Sequence, residues 1–299
     1  MIRLRREETW RETVFFHLYR SMAWLARTLP GAFGRRVFGL ASLLAFELAP
    51  ATRSVVARNQ AQVLGRAPGD PLVRAATRDA FTSYARYWFD SFRFAVMSPE
   101  SVAARFDSPD AHHLWEALEA GRGAIVALPH IGNWDAAAPW LQALGRPTVA
   151  VAERLRPERL YELFVANRNS FGVEMLGLGD AGIGHDLATR LAAGDIVALV
   201  ADRDLSGRGV EVTMFGRTRR LPAGPALLSI TTGAPLLVTP VFQIEDGWRC
   251  LMTPPLTVEP SGDRRDDVRA LTQRMADEFE RAIASAPSDW HMFQPAWED

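Results

Sequence analysis

Cysteine and lysine are the residues that this sequence lacks most clearly. Cys250 is the only cysteine in 299 residues, which excludes an internal disulfide and a cysteine-rich metal site. All 34 fixed positive charges are arginines, a bias that we attribute to the coding preference of a GC-rich genome. The formal net charge is only −1, so bulk electrostatics gives no indication of a nucleic-acid partner.

A long uninterrupted apolar segment is also missing. A membrane-spanning helix needs about 20 mostly apolar residues, whereas the best candidate, Val37 to Pro50, is shorter and contains Glu47. The N-terminus has no compact apolar core followed by a small-residue cleavage site, so we predict no signal peptide. The nucleophile elbow Gly-x-Ser-x-Gly, the zinc motif His-Glu-x-x-His and the P-loop are absent as well.

The first 50 residues instead alternate aromatic and aliphatic side chains with arginines. This pattern is typical of helices that lie at a membrane interface, although two amphipathic helices packed on the domain with solvated arginines would look the same. We expect peripheral attachment to the inner, cytoplasmic surface of the cell membrane. The arginines concerned are Arg3, Arg5, Arg6, Arg11, Arg20, Arg27, Arg35 and Arg36.

The apolar pattern predicts an α/β fold with a mainly parallel central β-sheet flanked by helices. Residues 1–100 are predicted to form a helical, membrane-facing region and residues 101–299 the α/β core, the two making one integrated domain. Predicted helices cover residues 11–47, 54–64, 72–96, 111–120, 134–144, 157–170, 185–193, 222–232 and 266–286. Predicted strands lie near 123–128, 147–152, 172–176, 196–201, 210–215, 235–243 and 248–253, the last two as an antiparallel hairpin.

The most informative stretch runs from Leu128 to Asp135 and reads LPHIGNWD. It follows an apolar run, 123–127, that is typical of a buried strand, and it leads into a predicted helix that ends near Leu144. His130 therefore lies where a strand gives way to a helix. The carboxyl ends of strands are where open α/β sheets bind their ligands.

His130 and Asp135 are suited to general-base chemistry. A neutral histidine can take a proton from a hydroxyl, and a carboxylate on its other ring nitrogen fixes the tautomer. In one continuous helix the two side chains would be roughly 500° apart, at about 100° per residue. The pair therefore needs His130 in a loop and Asp135 in the first helical turn, which Gly132 and Asn133 favour. By itself, His-x4-Asp equally describes a loop histidine beside an acidic turn that complements a helix dipole.

This stretch resembles the first block of the lysophospholipid and lipid A type acyltransferases, whose pattern is His-x4-Asp or His-x4-Glu. Further blocks follow in the family's order, and together they most resemble the actinobacterial phosphatidylinositol mannoside acyltransferases. The resemblance is clear from roughly residue 80 to residue 299 and looser before it. The later blocks are AERLRPE at 152–158, ADRDL at 201–205, the segment 210–216, LPAGPA at 221–226 and DWHMFQPAW at 289–297.

The resemblance implies transfer of a long acyl chain from acyl-coenzyme A to a mannose hydroxyl of a phosphatidylinositol mannoside. It implies His130 as the general base, with Asp135 and Asp202 completing the catalytic set. Related enzymes carry a glutamate where this chain has Asp202, so Asp135, Asp202 and Asp204 all remain candidates for the acid that orients the histidine. A thioester is already activated, so acyl-coenzyme A is expected as co-substrate with no other cofactor and no metal. The residues expected to bind substrate are Glu153, Arg154, Arg168, Arg203 and Asp204.

Two features of the sequence leave alternatives open. Aromatic residues crowd the predicted helix 72–96, where they either fill the core or line a groove for an acyl chain. Residues 177–182, GLGDAG, match the dinucleotide fingerprint Gly-x-Gly-x-x-Gly. Against an NAD(P)-dependent oxidoreductase, the motif lies in mid-chain, and Gly184 and His185 are expected to lengthen the loop so that the helix starts later.

Two other functions also remain possible. One is a lipid A type acyltransferase that uses an acyl carrier protein, although that branch usually has Glu where this chain has Asp135. The other is a catalytically inactive lipid-binding protein, which an aspartate at position 202 does not exclude.

Backbone N–H groups at the helix start after Gly132 are candidates for stabilising the reaction's oxyanion.

Overall fold

The computed structural model describes residues 8–297, so the predicted surface arginines Arg3, Arg5 and Arg6 lie outside the described residues. Four helices come first and seven more are distributed through the α/β region. The first four are α1 (Trp10–Thr28), α2 (Gly31–Leu48), α3 (Pro50–Leu64) and α4 (Pro71–Arg93). The others are α5 (Pro99–Ala103), α6 (His112–Glu119), α7 (Ala137–Ala143), α8 (Glu158–Asn169), α9 (Ile183–Ala192), α10 (Gly224–Thr232) and α11 (Arg264–Ser285).

The predicted helical run from Arg11 to Glu47 is two helices. At the start of α1, the Thr9 hydroxyl accepts a hydrogen bond from the Glu12 backbone N–H, and the Glu12 carboxylate accepts one from the Thr9 N–H at 2.7 Å. The helix ends at Thr28, and Pro30 precedes α2. Proline lacks an N–H and disfavours helical geometry at the residue before it, so the run breaks there.

The central sheet has five strands in the order β4-β3-β5-β2-β8, and every pairing in it is parallel. This confirms the predicted α/β fold. A two-stranded hairpin joins β6 to β7, and a three-stranded sheet has the order β1-β10-β9. The strands are β1 (Phe106–Asp107), β2 (Ala124–Leu128), β3 (Thr148–Ala152), β4 (Val173–Gly177), β5 (Ile196–Val200), β6 (Val210–Met214), β7 (Arg217–Leu221), β8 (Leu236–Val238), β9 (Val241–Ile244) and β10 (Gly247–Cys250).

Two hydrophobic clusters cover the two faces of this sheet. One joins the strands to α9, α10 and α11, with Leu191, Met275 and Phe279 buried. The other joins them to α6 and α7, with Leu114 and Trp140 buried. Every residue of β2 is buried, as expected for a central parallel strand covered on both faces. The predicted boundary between residues 100 and 101 is not tested by this arrangement and stays a prediction.

Two sequence predictions about this region are wrong, and strand β7 is missed. The run 235–243 is not one strand of a hairpin, because it divides at Pro240: β8 belongs to the central sheet, and only β9 pairs antiparallel with β10. Strand β7 was not predicted, since its sequence RTRRL has almost no apolar pattern. Helix α9 begins directly after Gly182, so Gly184 and His185 lie inside the helix rather than in the loop.

The glycine-rich loop 177–182 follows β4, which is an edge strand of the central sheet. A dinucleotide fingerprint is expected instead at the point where the strand order reverses. The Asp180 carboxylate accepts a hydrogen bond from the Gly177 N–H at 3.1 Å, so the loop closes on itself. The start of the helix no longer argues against the oxidoreductase alternative, whereas the position of the loop at an edge strand does.

Strand register brings His130 and Asp202 together. Strands β2 and β5 are parallel neighbours in which Leu128 pairs with Val200. His130 and Asp202 each follow two residues later. Both side chains therefore leave the sheet at the same edge, at the carboxyl ends of adjacent strands.

Among residues 8–297, no single helix is long and apolar enough to cross a bilayer. Helices α2 and α3 meet the criterion only when taken together, and they are bent by 96° relative to each other.

Candidate active site

His130 and Asp202 form a direct hydrogen-bonded pair. His130 Nδ1 lies 2.5 Å from Asp202 Oδ1, and the His130 backbone N–H donates to Asp202 Oδ2 at 3.0 Å. An ionised carboxylate can only accept, so a neutral His130 ring carries its proton on Nδ1. Nε2 is thereby left with a free lone pair, the form that a general base needs.

Asp202 is completely buried, and two further donors hold it in place. Trp290 Nε1 donates to Oδ2 at 2.8 Å, and the Arg219 guanidinium donates to the Asp202 backbone carbonyl at 2.6 Å. Burial by itself raises the pKa of the Asp202 carboxyl. The charge and hydrogen bond of His130, with the Trp290 N–H and the nearby Arg219, outweigh that effect and hold the pKa below its ordinary value. Asp202 therefore stays ionised at neutral pH.

Asp135 does not pair with His130. Its carboxylate accepts from the Arg168 guanidinium at 2.8 Å and from the Tyr87 hydroxyl at 3.1 Å, and Arg168 also donates to the Tyr87 oxygen at 3.0 Å. Burial lowers the pKa of Arg168, but the charge of Asp135 outweighs this and raises it. Of the three aspartates left open by the sequence, Asp202 is thus the one that contacts the histidine, while Asp135 neutralises a buried arginine.

His130 lies in a loop and Asp135 in the first turn of a short 3-10 helix, as predicted, but the Asn133 side chain at the N-cap makes no capping hydrogen bond. Gly132 has a φ of +57°, and a Cβ there would collide with the backbone of Val241 and Phe242. The Gly132 N–H donates to the Asp289 carbonyl at 2.8 Å, and the Asn133 N–H donates to the Val241 carbonyl at 2.9 Å. The Asn133 N–H is therefore not free to stabilise an oxyanion, while the other N–H groups at the helix start after Gly132 stay predicted donors.

The His130–Asp202 pair, called the dyad below, lies at a large apolar cavity of about 790 Å³. The cavity is lined by residues of the central strands and of α4, α6, α7, α8, α9 and α10, and His130 is part of its wall. Tyr84, Tyr87 and Trp88 of α4 line it, whereas Phe81 and Phe92 of the same helix are buried in the core. The aromatic residues of this helix are therefore divided between the core and the wall of the cavity. Apolar lining residues include Leu114, Val126, Leu128, Ala138, Leu141, Val173, Met175 and Leu187.

Four of the five predicted substrate-binding residues line this cavity: Glu153, Arg168, Arg203 and Asp204. Glu153 and Arg203 are paired with each other at 2.9 Å at its mouth. The carboxylate of Asp204 is used within its own loop, where it accepts from Ser206 and from the Gly209 N–H.

The fifth predicted residue, Arg154, is not part of the cavity lining. Its guanidinium binds Asp180 at 2.6 Å and lies 3.4 Å from Glu158. Its position therefore gives no support to the predicted contact with substrate.

His291 lies on the cavity wall beside the dyad. Its Nε2 is 2.9 Å from Ser83 Oγ, which in turn donates to Asp289 at 2.6 Å, and its backbone N–H donates to the His130 carbonyl. Burial, together with the nearby charge of His130, lowers the pKa of His291 to about 3. His291 is therefore neutral at physiological pH.

Comparison with known proteins identifies the family. The sequence model of the family described as bacterial lipid A biosynthesis acyltransferase matches residues 5–299. The chain belongs to that family. It is 43% identical over 278 residues to the phosphatidylinositol mannoside acyltransferase of Mycolicibacterium smegmatis, covering 91% of this chain and 88% of the relative. The protein of the same name from Mycobacterium tuberculosis H37Rv is 43% identical over 247 residues, covering 80% of this chain and 75% of the relative.

The chain is thus an acyltransferase, as its sequence blocks predict. Sequence reasoning missed three residues of the acyltransferase site: Tyr87, Arg219 and Trp290. In the sequence, Tyr87 is only one of several aromatic residues on a predicted helix, and Arg219 lies in strand β7, which has no apolar pattern. Trp290 belongs to the family block 289–297, but nothing local indicates that its indole N–H reaches a residue 88 positions away.

Removing one partner of the buried Asp135–Arg168 pair should destabilise the acyltransferase strongly. In Asp135→Asn the Arg168 charge is left without its counter-ion, so we expect a loss of about 3–5 kcal/mol in unfolding free energy. The double variant Asp135→Leu/Arg168→Met should lose less free energy of unfolding than Asp135→Leu and Arg168→Met lose when their effects are added, since no orphan charge remains. Chemical denaturation measures both, with Asp180→Asn in an exposed pair as a control of little effect. Additive losses would contradict the coupling.

The depressed pKa of His291 should make the fold weaker in acid. Between pH 6.5 and about 3 the unfolded chain binds a proton on this histidine that the folded chain does not, so stability falls as pH falls through that window. His291→Phe should reduce the pH slope of unfolding free energy there by about one proton. Denaturation at several pH values measures the slope, with exposed His112→Phe as the control. An unchanged slope in His291→Phe would contradict the assignment.

Proposed function

We propose that this acyltransferase moves a long acyl chain from acyl-coenzyme A to a mannose hydroxyl of a phosphatidylinositol mannoside, with His130 as general base. The observation that carries the proposal is the His130–Asp202 pair at the mouth of the apolar cavity. Support for a glycolipid acceptor comes from the relatives, which are 43% identical and bear the name phosphatidylinositol mannoside acyltransferase.

The proposed reaction begins at His130 Nε2, which takes the proton of the acceptor hydroxyl. The hydroxyl oxygen attacks the thioester carbonyl and forms a tetrahedral oxyanion, while the Asp202 carboxylate stabilises the imidazolium. The intermediate then collapses: the carbon–sulfur bond breaks, and the thiolate takes the proton from the imidazolium. The products are an acylated glycolipid and free coenzyme A. Because the thioester is already activated, the proposal needs no further cofactor.

The apolar cavity is suited to the acyl chain. Its wall beyond His130 is formed by aliphatic and aromatic side chains such as Leu114, Leu141 and Val173, which offer a chain of methylenes no polar competition. Burying each CH₂ contributes about 0.8 kcal/mol. A long chain held there would place its thioester carbonyl at the polar mouth, beside His130 and the Glu153–Arg203 pair.

The alternative functions are less well supported by this geometry. An inactive lipid-binding protein has no need of a buried carboxylate that holds a histidine in the basic tautomer. The NAD(P) alternative would use the loop 177–182, which lies at an edge strand. A lipid A type enzyme with a carrier-protein donor keeps the same dyad, and only the identity of the donor separates it from our proposal.

Release of free thiol from palmitoyl-coenzyme A by the purified protein tests the proposal. We expect release that depends on added phosphatidylinositol mannoside. His130→Ala should lower kcat by about 10²- to 10⁴-fold because the base is lost. Asp202→Asn should lower it comparably, since the new amide can donate to Nδ1 and move the ring proton to Nε2.

His112→Ala, at an exposed histidine outside the cavity, is the matched control and should retain full activity. Release that persists in His130→Ala would mean that another group is the base. Activity with an acyl carrier protein but none with acyl-coenzyme A would replace the proposed donor with the alternative one.

We propose also that the protein attaches peripherally to the cytoplasmic face of the cell membrane through α1 and α2. Large apolar side chains are exposed on both helices, and arginines such as Arg11, Arg20 and Arg36 lie among them. Helix α1 packs on α4 and α8, which line the cavity, so lipid substrates would reach the dyad from this side. The exposed residues are Trp10, Val14, Phe15, Leu18, Trp24, Phe33, Leu40, Leu44 and Leu48.

Sedimentation with anionic phospholipid vesicles tests this attachment. The double variant Phe15→Ser/Trp24→Ser should bind about tenfold more weakly or worse, because two large side chains no longer enter the lipid. Leu144→Ser/Leu251→Ser removes exposed apolar surface outside α1 and α2 and should leave binding unchanged. Equal binding by the wild type and both variants would rule out this face as the anchor.

A further inference from the structure

Strand β7 buries one arginine while it exposes the arginines on either side. Arg219 is only 6% exposed, whereas Arg217 and Arg220 of the same strand are exposed. In the register of the hairpin, Arg219 pairs with Val212, which is also buried, so the inner face of the hairpin carries the Arg219 side chain into the core. Burial of a guanidinium is costly unless other groups replace its lost water.

The protein compensates this buried charge only in part. Nη2 of Arg219 donates to the Asp202 backbone carbonyl at 2.6 Å, but Nε and Nη1 have no hydrogen-bond partner within residues 8–297. The guanidinium carbon lies 5.7 Å from the ring centre of Trp290 and 5.3 Å from that of Trp297. The two indoles therefore hold the guanidinium by cation–π contact, and no carboxylate of the described residues pairs with it directly.

The negative charge that Arg219 faces is the carboxylate of Asp202. Trp290 connects the two groups, because its indole N–H donates to Asp202 Oδ2 at 2.8 Å while its ring lies against the guanidinium. Burial lowers the pKa of Arg219, and the charge of Asp202 opposes that effect. The two charges thus attract each other through the protein interior, where attraction is stronger than in water.

The other ionisable groups around the dyad contribute little unbalanced charge. They are the ion pairs Glu153–Arg203 and Asp135–Arg168, the uncharged His291, Tyr84 and Tyr87, Asp289 bonded to Ser83, and Asp204 bonded within its own loop. Asp202 and Arg219 then balance each other. The centre of the site is therefore electrically balanced while the His130 ring is neutral.

This balance matters for the chemistry of a base. A histidine bonded to a buried carboxylate alone would hold an extra proton firmly, since the negative charge stabilises the imidazolium. A general base is most effective when its affinity for a proton suits the working pH. The positive charge of Arg219 opposes protonation of His130 and so offsets part of the attraction exerted by Asp202.

We propose that Arg219 is a positioning residue that acts through Asp202 and keeps His130 unprotonated at neutral pH. This inference rests on the proposed function, because it takes His130 to be the general base. The guanidinium holds the backbone of Asp202 through one hydrogen bond and balances the carboxylate through its charge. Arginine suits this position because its flat group stacks on indoles and is only weakly hydrated.

The pH dependence of kcat/KM for acyl transfer tests this role. In Arg219→Gln the side chain can still donate to the Asp202 carbonyl, but the charge is lost. Asp202 then holds a proton on His130 more firmly, and a higher pH is needed to remove it. The acid limb of the profile should therefore move to higher pH by about one unit, with activity recovering above it.

Three further variants separate the charge from a purely structural effect. Arg219→Lys keeps the charge and should leave the acid limb at its wild-type position, even where kcat is lower. Arg219→Met loses the charge and the donor and should move the limb as Arg219→Gln does. Arg220→Met, at the exposed neighbour that pairs with Glu211, is the matched control and should not move it. An equal loss of activity at every pH in Arg219→Gln, or the same shift in Arg219→Lys, would overturn the proposal.

Nuclear magnetic resonance of isotope-labelled histidine follows the His130 ring without any substrate. Its signal is identified by its absence from His130→Ala. The midpoint of its titration should be about one pH unit higher in Arg219→Gln than in the wild type, and it should be unchanged in Arg220→Met. An equal midpoint in the wild type and Arg219→Gln would overturn the proposal.

Failure of the proposed function gives a different result from failure of this inference. A wild-type protein that transfers no acyl group, but whose His130 signal shifts as expected in Arg219→Gln, would retain the role of Arg219 and refute the reaction. A protein that transfers the acyl group with one pH profile in the wild type and Arg219→Gln would retain the reaction and refute that role.

Discussion

The buried carboxylate of Asp202 is the group on which the rest of the site depends. It accepts hydrogen bonds from the backbone and ring of His130 and from the indole of Trp290. Arg219 supports the same residue through its backbone carbonyl. A carboxylate without water must find its donors in the protein, so three segments that are far apart in the chain have to meet here. The same contacts keep Asp202 ionised and hold the His130 proton on Nδ1.

A second buried charge pair is kept apart from the first. Asp135 and Arg168 neutralise each other with Tyr87 as a third partner, and they fasten the loop after His130 to helices α4 and α8. His291, next to the dyad, is neutral because burial disfavours its charged form. Burial therefore leaves His291 uncharged beside the His130–Asp202 pair, and the Arg168 charge is balanced within its own cluster.

The position of His130 could be predicted because it depends on local pattern. A buried apolar run, a glycine and an acidic turn in succession place a histidine at the end of a strand. Gly132 illustrates how well this works, since its positive φ and the backbone packed against it leave no room for a side chain. Pro240 is a local signal for the break in the run 235–243, since proline cannot donate to a strand ladder. The sheets that the two halves join could not be predicted, because both halves are apolar and only their partners differ.

The amino-acid sequence by itself determined the class of fold, the candidate base and the family blocks. Those features follow from hydrophobic periodicity and residue type, which act over a few positions. Only the tertiary structure decided that Asp202, and not Asp135, orients His130. That choice depends on the register of β2 against β5 and on burial, which bring together residues 72 positions apart and leave Asp135 to Arg168. Hydrogen bonding selects partners by distance in space, and spacing along the chain does not contain that distance.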